Sequence, residues 1–281
     1  MQLSVITDEI SQHLESALDV CDQAGVKTIE LRAIDGVSIV EHDEARLARI
    51  KSILDGRGLR VCAIASPFLK SHVYSDGLPS GEMHSAAAAS RDQQWTILES
   101  ALRAARVLGA PMVRAFSFWR LPNPEIAREE LVAVLTEALR RAEAAGIKLG
   151  LENEYACNVA TGAEAGWVLR RIPSPTFGII WDPGNEAKLG SRPFPDGYAH
   201  IRGRVIHVQL KDLDAQGNWT RIGTGAIDYV GQLRALAADG YEGALSLETH
   251  YTIPNGGSAG ASRESLAAIR DLCAQAGVPL A

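Results

Sequence analysis

The sequence predicts an α/β protein, a single-domain (β/α)8 TIM barrel, and three observations carry that expectation. Short apolar β runs alternate with amphipathic helical patterns eight times along the chain. Six of the β runs begin just after a glycine that ends a helical pattern, as expected of short αβ turns. No G-x-G-x-x-G follows the first strand, which places the doubly wound open sheet second.

The elements follow in order. A first strand is expected over Gln2–Ile6, then a helix over Ser11–Ala24 with Ser11 as candidate cap. Gly25 introduces a strand at Thr28–Arg32, Asp43 opens a helix at Asp43–Leu54, and Gly58 introduces Arg60–Ala65. The long Ser-, Gly- and Ala-rich loop Ser66–Ser90 comes next; it reads as a lid or substrate wall, or equally as a surface excursion. Helix Arg91–Leu108 leads through Gly109 to strand Met112–Phe116. Asn123 and Pro124 open helix Pro124–Ala145, and Gly146 introduces strand Lys148–Glu152. Thr161 caps helix Thr161–Arg171, which precedes strand Phe177–Asp182. Pro193 and Pro195 then interrupt the pattern, leaving only a short helix near Asp196–Ile201. Gly203 introduces Val205–Leu210, Asp228 opens helix Asp228–Ala238, Gly240 introduces Ala244–Glu248, and helix Ser262–Ala276 closes the pattern.

With 281 residues and 46% hydrophobic content, the chain is long enough to bury one barrel core spanning 1–281. A net charge of −6 argues against a nucleic-acid partner. No apolar run is long enough to span a membrane. The start, Met1 to Ile6, has neither a basic region nor a cleavage pattern, so no signal peptide is expected. Cys21, Cys62, Cys157 and Cys273 are scattered without a C-x-x-C pair, which suits reduced thiols and a cytoplasmic setting. Homo-oligomerisation is left open.

The chemistry concentrates at four strand ends. Apolar strands five, six and eight end in Glu152, Asp182 and Glu248, where a barrel carries its active site. In strand seven, alternation puts His207 and Gln209 on one face, with Gln209 nearer the mouth. Each residue alone has an ordinary explanation: a helix cap, a salt bridge, a core histidine. Three carboxylates around one spot repel unless a cation joins them. Two Glu, one Asp and one amide oxygen suit Mn²⁺ or Mg²⁺, with Zn²⁺, Co²⁺ or Fe²⁺ as further options, more so if His207 ligates. Glu154 and His250 lie one inward step above Glu152 and Glu248, and either orient a substrate or form loop salt bridges. Arg114 is expected to pair with a carboxylate inside the barrel, and Lys211-Asp212 to fix the loop after strand seven. Gly223–Gly225 is the one candidate phosphate loop, with a tight turn as its other reading.

These stretches resemble the xylose-isomerase-like barrel family, the sugar phosphate isomerases/epimerases. The resemblance rests on Leu151-Glu152-Asn153, Trp181 to Asn185, Ile206 to Asp212, Gly223 to Asp228 and Ser246-Leu247-Glu248. Asp8-Glu9-Ile10 and Glu30-Leu31-Arg32 match more weakly. The resemblance implies that Glu152, Asp182, Gln209 and Glu248 hold one divalent metal ion, and that Glu152 and Glu248 also carry protons. Gln209 stands where many relatives have His and is similar to the hydroxypyruvate isomerase branch. Asn185 stands where epimerases tend to have a substrate-binding His; with His207, Glu154 and His250 it is a candidate substrate-binding residue. A small carbohydrate is the implied substrate, and isomerisation or epimerisation through an enediolate the implied reaction. A lyase acting on an inosose or 3-keto-glycoside is the alternative. Metal-dependent phosphodiester hydrolysis is more remote, and a non-catalytic sugar-binding barrel comes last.

Overall fold

All six helix-closing glycines, Gly25, Gly58, Gly109, Gly146, Gly203 and Gly240, adopt φ between 65° and 77°. In that left-handed region a Cβ would crowd the backbone, so the sequence signal and the turn geometry have one cause. The computed structural model describes residues 1–73 and 91–281. Most of the long loop after the third strand therefore lies outside the described residues.

The barrel strands are β1 (Gln2–Val5), β2 (Thr28–Leu31), β3 (Arg60–Ile64), β4 (Met112–Ala115), β5 (Lys148–Glu152), β6 (Phe177–Trp181), β7 (Val205–Leu210) and β8 (Ala244–Leu247). They pair in parallel in the order β1-β8-β7-β6-β5-β4-β3-β2. A single bridge, Ile6 to Glu30, joins β2 back to β1, so the ring is nearly closed. Around it stand α1 (Leu14–Gln23), α2 (Glu44–Gly56), α3 (Arg91–Leu108), α4 (Arg128–Ala144), α5 (Gly162–Arg171), α6 (Pro183–Lys188), α7 (Tyr229–Ala238) and α8 (Gly257–Ala276). Their apolar faces and the outward strand residues make one continuous core, including Leu18, Leu47, Leu135 and Leu233. No described helix is long and apolar enough to cross a membrane.

The caps show where local signals decide and where they do not. Asp43, Thr161 and Asp228 each accept a backbone N–H in the first turn of α2, α5 and α7, and Thr161 completes a capping box with Glu164. Ser11 does not cap α1. Its hydroxyl accepts from the His13 amide, and a separate one-turn helix, Thr7–Ile10, precedes it. Helix α6 went unforeseen between strands six and seven, although Pro183 at its first position and Asp182 as its cap suit such a start. Two antiparallel ribbons, Ala33–Ile34 with Val37–Ser38 and Asp212–Leu213 with Trp219–Thr220, were also not read from sequence. They extend beyond β2 and β7 and raise part of the cavity wall. All four cysteines are unpaired. Burial pushes the Cys21 thiol up to about 12, so it remains protonated at neutral pH.

Glu186 in α6 is buried, and its Oε2 accepts the Gly162 amide at 2.9 Å, at the N-terminus of α5. Burial pushes its carboxyl up to about 7, and the acidic neighbours Glu164 and Asp196 add to the rise. A folded carboxyl raised above its unfolded value binds more protons than the unfolded chain between about pH 4.5 and 7. Stability therefore falls as pH rises through that window. Glu186→Gln keeps an acceptor for Gly162 without the charge. Its Tm is expected to match wild type at pH 5 and exceed it by about 2–4 °C at pH 8. Equal Tm values at both pH values in thermal melts would refute this.

Candidate active site

The carboxyl ends of the strands surround a cavity of about 930 Å³. Its walls include Glu9, Arg32, Lys70, Arg114, Glu152, Glu154, Lys211, Trp219, Glu248 and His250. Among the residues expected at the site, Glu152, Glu154, Glu248 and His250 reach this cavity. Asp182 and Gln209 lie beneath its floor and are fully buried.

Glu152 ends β5, where Arg114 of β4 donates to its Oε2 at 2.8 Å. The Asn185 amide approaches its Oε1 at 3.3 Å. Burial, together with Glu248 and Glu154, outweighs Arg114 and pushes the Glu152 carboxyl up to about 7. Asp182 divides its work between two oxygens. Oδ1 accepts the Asn185 backbone N–H at 3.0 Å and caps α6. Oδ2 lies 2.9 Å from Lys211 Nζ as an ion pair, yet receives no aligned hydrogen bond. Burial raises this carboxyl to about 6 against the pull of Lys211. The cap reading of Asp182 holds through Oδ1, while Oδ2 faces the Lys211 ammonium.

Glu248 has the opposite electrostatics. Burial works to raise its pKa, but Lys211 at 2.6 Å, His250 at 3.0 Å and Arg32 at 2.9 Å hold it well below the usual carboxylate range. His250 takes φ of 52°, a conformation that costs a non-glycine residue about 1–3 kcal/mol. Its amide donating to Glu9 Oε2 at 3.0 Å and its ring packed edge-on to Trp219 at 5.3 Å offset that cost. Glu154 Oε2 pairs with Lys70 at 3.2 Å, and the Lys70 ammonium lies 4.5 Å from the Phe116 ring centre.

Lys211 is the main departure from expectation. Instead of fixing a loop, it is buried, and its ammonium bridges Asp182 and Glu248 in the middle of the acidic cluster. Two further substrate-binding candidates, Asn185 and His207, do not line the cavity. Both are fully buried below the cavity. Asn185 donates to the Asn153 carbonyl at 2.8 Å and so ties α6 to the end of β5. His207 Nε2 lies 2.9 Å from Glu30 Oε2 in the barrel interior. Three residues, Arg32, Lys70 and Glu9, take part in the cluster without having been singled out for it. The Gly223–Gly225 amides are already used: Gly223 and Gly225 donate to Asp212 Oδ2 at 2.9 and 3.0 Å, which settles that segment as a tight turn around a carboxylate.

The donor set offers hard oxygens with free lone pairs. Gln209 Oε1 is buried without a hydrogen-bond donor, and an unmet buried acceptor costs roughly 1–3 kcal/mol, while Asp182 Oδ2 faces the Lys211 ammonium. With Glu152 and Glu248 they make three carboxylates and an amide, a chemistry that fits a divalent cation. Among the described residues, the only His, Cys, Asp and Glu trio with ligand atoms within 4.8 Å of one another is Glu9, Glu248 and His250. Arg32 already contacts both glutamates of that trio.

The chain belongs to the xylose isomerase-like TIM barrel family, which matches it over residues 18–272. An uncharacterised protein of Methanocaldococcus jannaschii is 31% identical over 121 residues, a match covering 41% of each chain. The chain thus aligns with less than half of that relative's length. Among solved structures, the IolI protein with a bound zinc atom superposes with a TM-score of 0.76 at 18% identity, covering 98% of this chain and 99% of that one. The probable 3-DHS dehydratase AsbF of Bacillus anthracis gives 0.75 at 15% identity, covering 96% and 99%. An L-ribulose 3-epimerase gives 0.72 at 20% identity, covering 99% and 96%. At these identities the likeness is one of fold.

Proposed function

We propose that the protein is a divalent-metal-dependent enzyme that isomerises or epimerises a sugar or keto-sugar, with Glu152 and Glu248 as its proton carriers. The observation that carries this reading is the meeting of the two glutamates in one cavity, with Asp182 and the donor-free Gln209 Oε1 buried beneath it. A divalent ion held by Glu152, Asp182, Gln209 and Glu248 would polarise a substrate carbonyl and acidify the adjacent C–H. Mn²⁺ or Mg²⁺ suits this oxygen set best. Glu152 and Glu248 both line the cavity and are the carboxylates placed to take and return the proton. Return of the proton to the other face epimerises, and its return to the neighbouring carbon isomerises.

The cavity charges support an uncharged, polyhydroxylated substrate. Arg32, Lys70, Arg114 and Lys211 each face a carboxylate at 3.2 Å or less, so none of these four is left for a phosphate group. A lyase is the second reading. His250 lines the cavity, and contact with Glu248 outweighs burial to raise its pKa, so it can protonate a departing β-hydroxyl. Deuterium uptake from heavy water across ketoses and keto-glycosides, scored for isomer against eliminated product, separates the two. The metal is tested directly. Protein purified without chelator is expected to bind about one Mn²⁺ per chain, and Asp182→Asn, which keeps the Oδ1 cap on α6, to lose at least tenfold in affinity. Wild type that takes up no divalent ion would remove the proposal.

A further inference from the structure

Below the acidic cluster lies a polar group that the proposed chemistry does not use. Glu30 of β2 is fully buried inside the barrel, where polar groups must find partners. Its two oxygens reach across to β7: Oε1 accepts from Gln209 Nε2 at 2.9 Å, and Oε2 meets His207 Nε2 at 2.9 Å. The Gln209 amide nitrogen is thereby committed, and its Oε1 is left buried with no donor. Rotating the amide by half a turn would set its oxygen against the Glu30 carboxylate and lose a charge-assisted bond. It would also turn an N–H toward the ligand set, where a cation needs a lone pair.

We propose that Glu30 is a positioning residue: through the Gln209 amide nitrogen it fixes Gln209 Oε1 toward the metal-ligand set, with His207 steadying the carboxylate. This rests on the divalent-metal reading above. A histidine ligand needs a partner to set its tautomer, and the glutamine here needs one to set which end of its amide points inward. The residue that does so comes from a strand nearly opposite in the ring.

The test is the Mn²⁺ dissociation constant of the full chain, measured by titration with detection of free Mn²⁺. Glu30→Asp keeps the charge but withdraws the acceptor, and Glu30→Gln lets either amide end face Gln209. Both are expected to weaken Mn²⁺ binding about tenfold to a hundredfold. The exchange variant E30Q/Q209E restores the charge and puts a carboxylate at position 209, which presents an oxygen in either orientation. Its affinity is expected to return at least to the wild-type value. Q209E alone is the control: a purely structural role for Glu30 would make E30Q/Q209E weaker than Q209E by the same factor that separates E30Q from wild type, whereas the positioning role makes E30Q/Q209E and Q209E equal. Wild-type affinity in Glu30→Asp, or an exchange variant weaker than Q209E, overturns the proposal while wild-type binding leaves the metal reading standing. Absence of Mn²⁺ binding in wild type overturns both. Should E30Q fail to fold, the Glu30→Asp and exchange measurements decide alone.

Discussion

Replacing Glu248 or Glu152 by Gln is expected to lower turnover at least about a hundredfold while leaving Mn²⁺ bound. The amide keeps a ligand oxygen and loses the proton acceptor, and a hundredfold is the lower end of general-base effects. The glutamates come from β8 and β5, separated in the ring by β7 and β6, so a substrate between them offers a different face to each. For an epimerase the losses are therefore directional. One variant is expected to keep α-proton exchange with one epimer, and the other variant with its partner. In a lyase, one variant keeps exchange and loses elimination. Glu248→Gln also takes a charge from Lys211, Arg32 and His250, so a thermal melt must accompany it; Glu152→Gln still accepts from Arg114. Proton exchange by NMR decides the matter. Near-wild-type exchange in both variants would leave the glutamates as ligands alone.

Lys211→Met is expected to destabilise the metal-free protein and to tighten its grip on Mn²⁺. The Lys211 ammonium bridges Asp182 and Glu248, and its pKa is raised well above normal: burial opposes its charge, but the carboxylates prevail. Removing it leaves two buried carboxylates facing each other, a loss of about 3–5 kcal/mol. For a chain of this size that corresponds to a fall in Tm on the order of 10 °C. The incoming ion then displaces no resident cation, so its dissociation constant is expected to fall at least about tenfold, or about 1.4 kcal/mol. Saturating Mn²⁺ should bring the two melting temperatures together. An unchanged Tm together with unchanged affinity would show that Lys211 does not act as the counter-ion.

Most of the barrel was legible because its signals are local. The six turn glycines, the caps at Asp43, Thr161 and Asp228, and the apolar runs each act within a few residues. The same alternation that set His207 and Gln209 on one face continues to Lys211, two residues on. It was not followed past the apolar run, so Lys211 was read as part of the loop. Asp182 resisted a single reading because its two oxygens serve different neighbours. Asn185 and His207 are buried for separate reasons: Asn185 sits in α6, outside any strand alternation, and His207 lies one inward step deeper than Gln209, as the alternation implies. Glu30 was not legible at all as a partner of Gln209, since 179 residues separate them and only ring closure brings them together. The ribbons beyond β2 and β7 are two residues per strand, too short to show a period.

The nearly closed ring has a weak join. Where β1 meets β2 there is one backbone bridge, at Ile6 and Glu30, and β3 touches β4 through the single pair Ile64 and Val113. Strands β2 and β3 therefore pair with each other but meet each neighbour through a single pair, while β4 to β8 and β1 make a continuous ladder. Above the first join the rim is closed by charge instead, with Arg32 after β2 clasping Asp8 and Glu9 after β1 and Glu248 after β8. Salt screens exposed charges strongly but shielded pairs little, and these side chains are only 5–14% exposed. This quarter of the mouth is thus held by ions that raised ionic strength loosens far less than it loosens surface pairs.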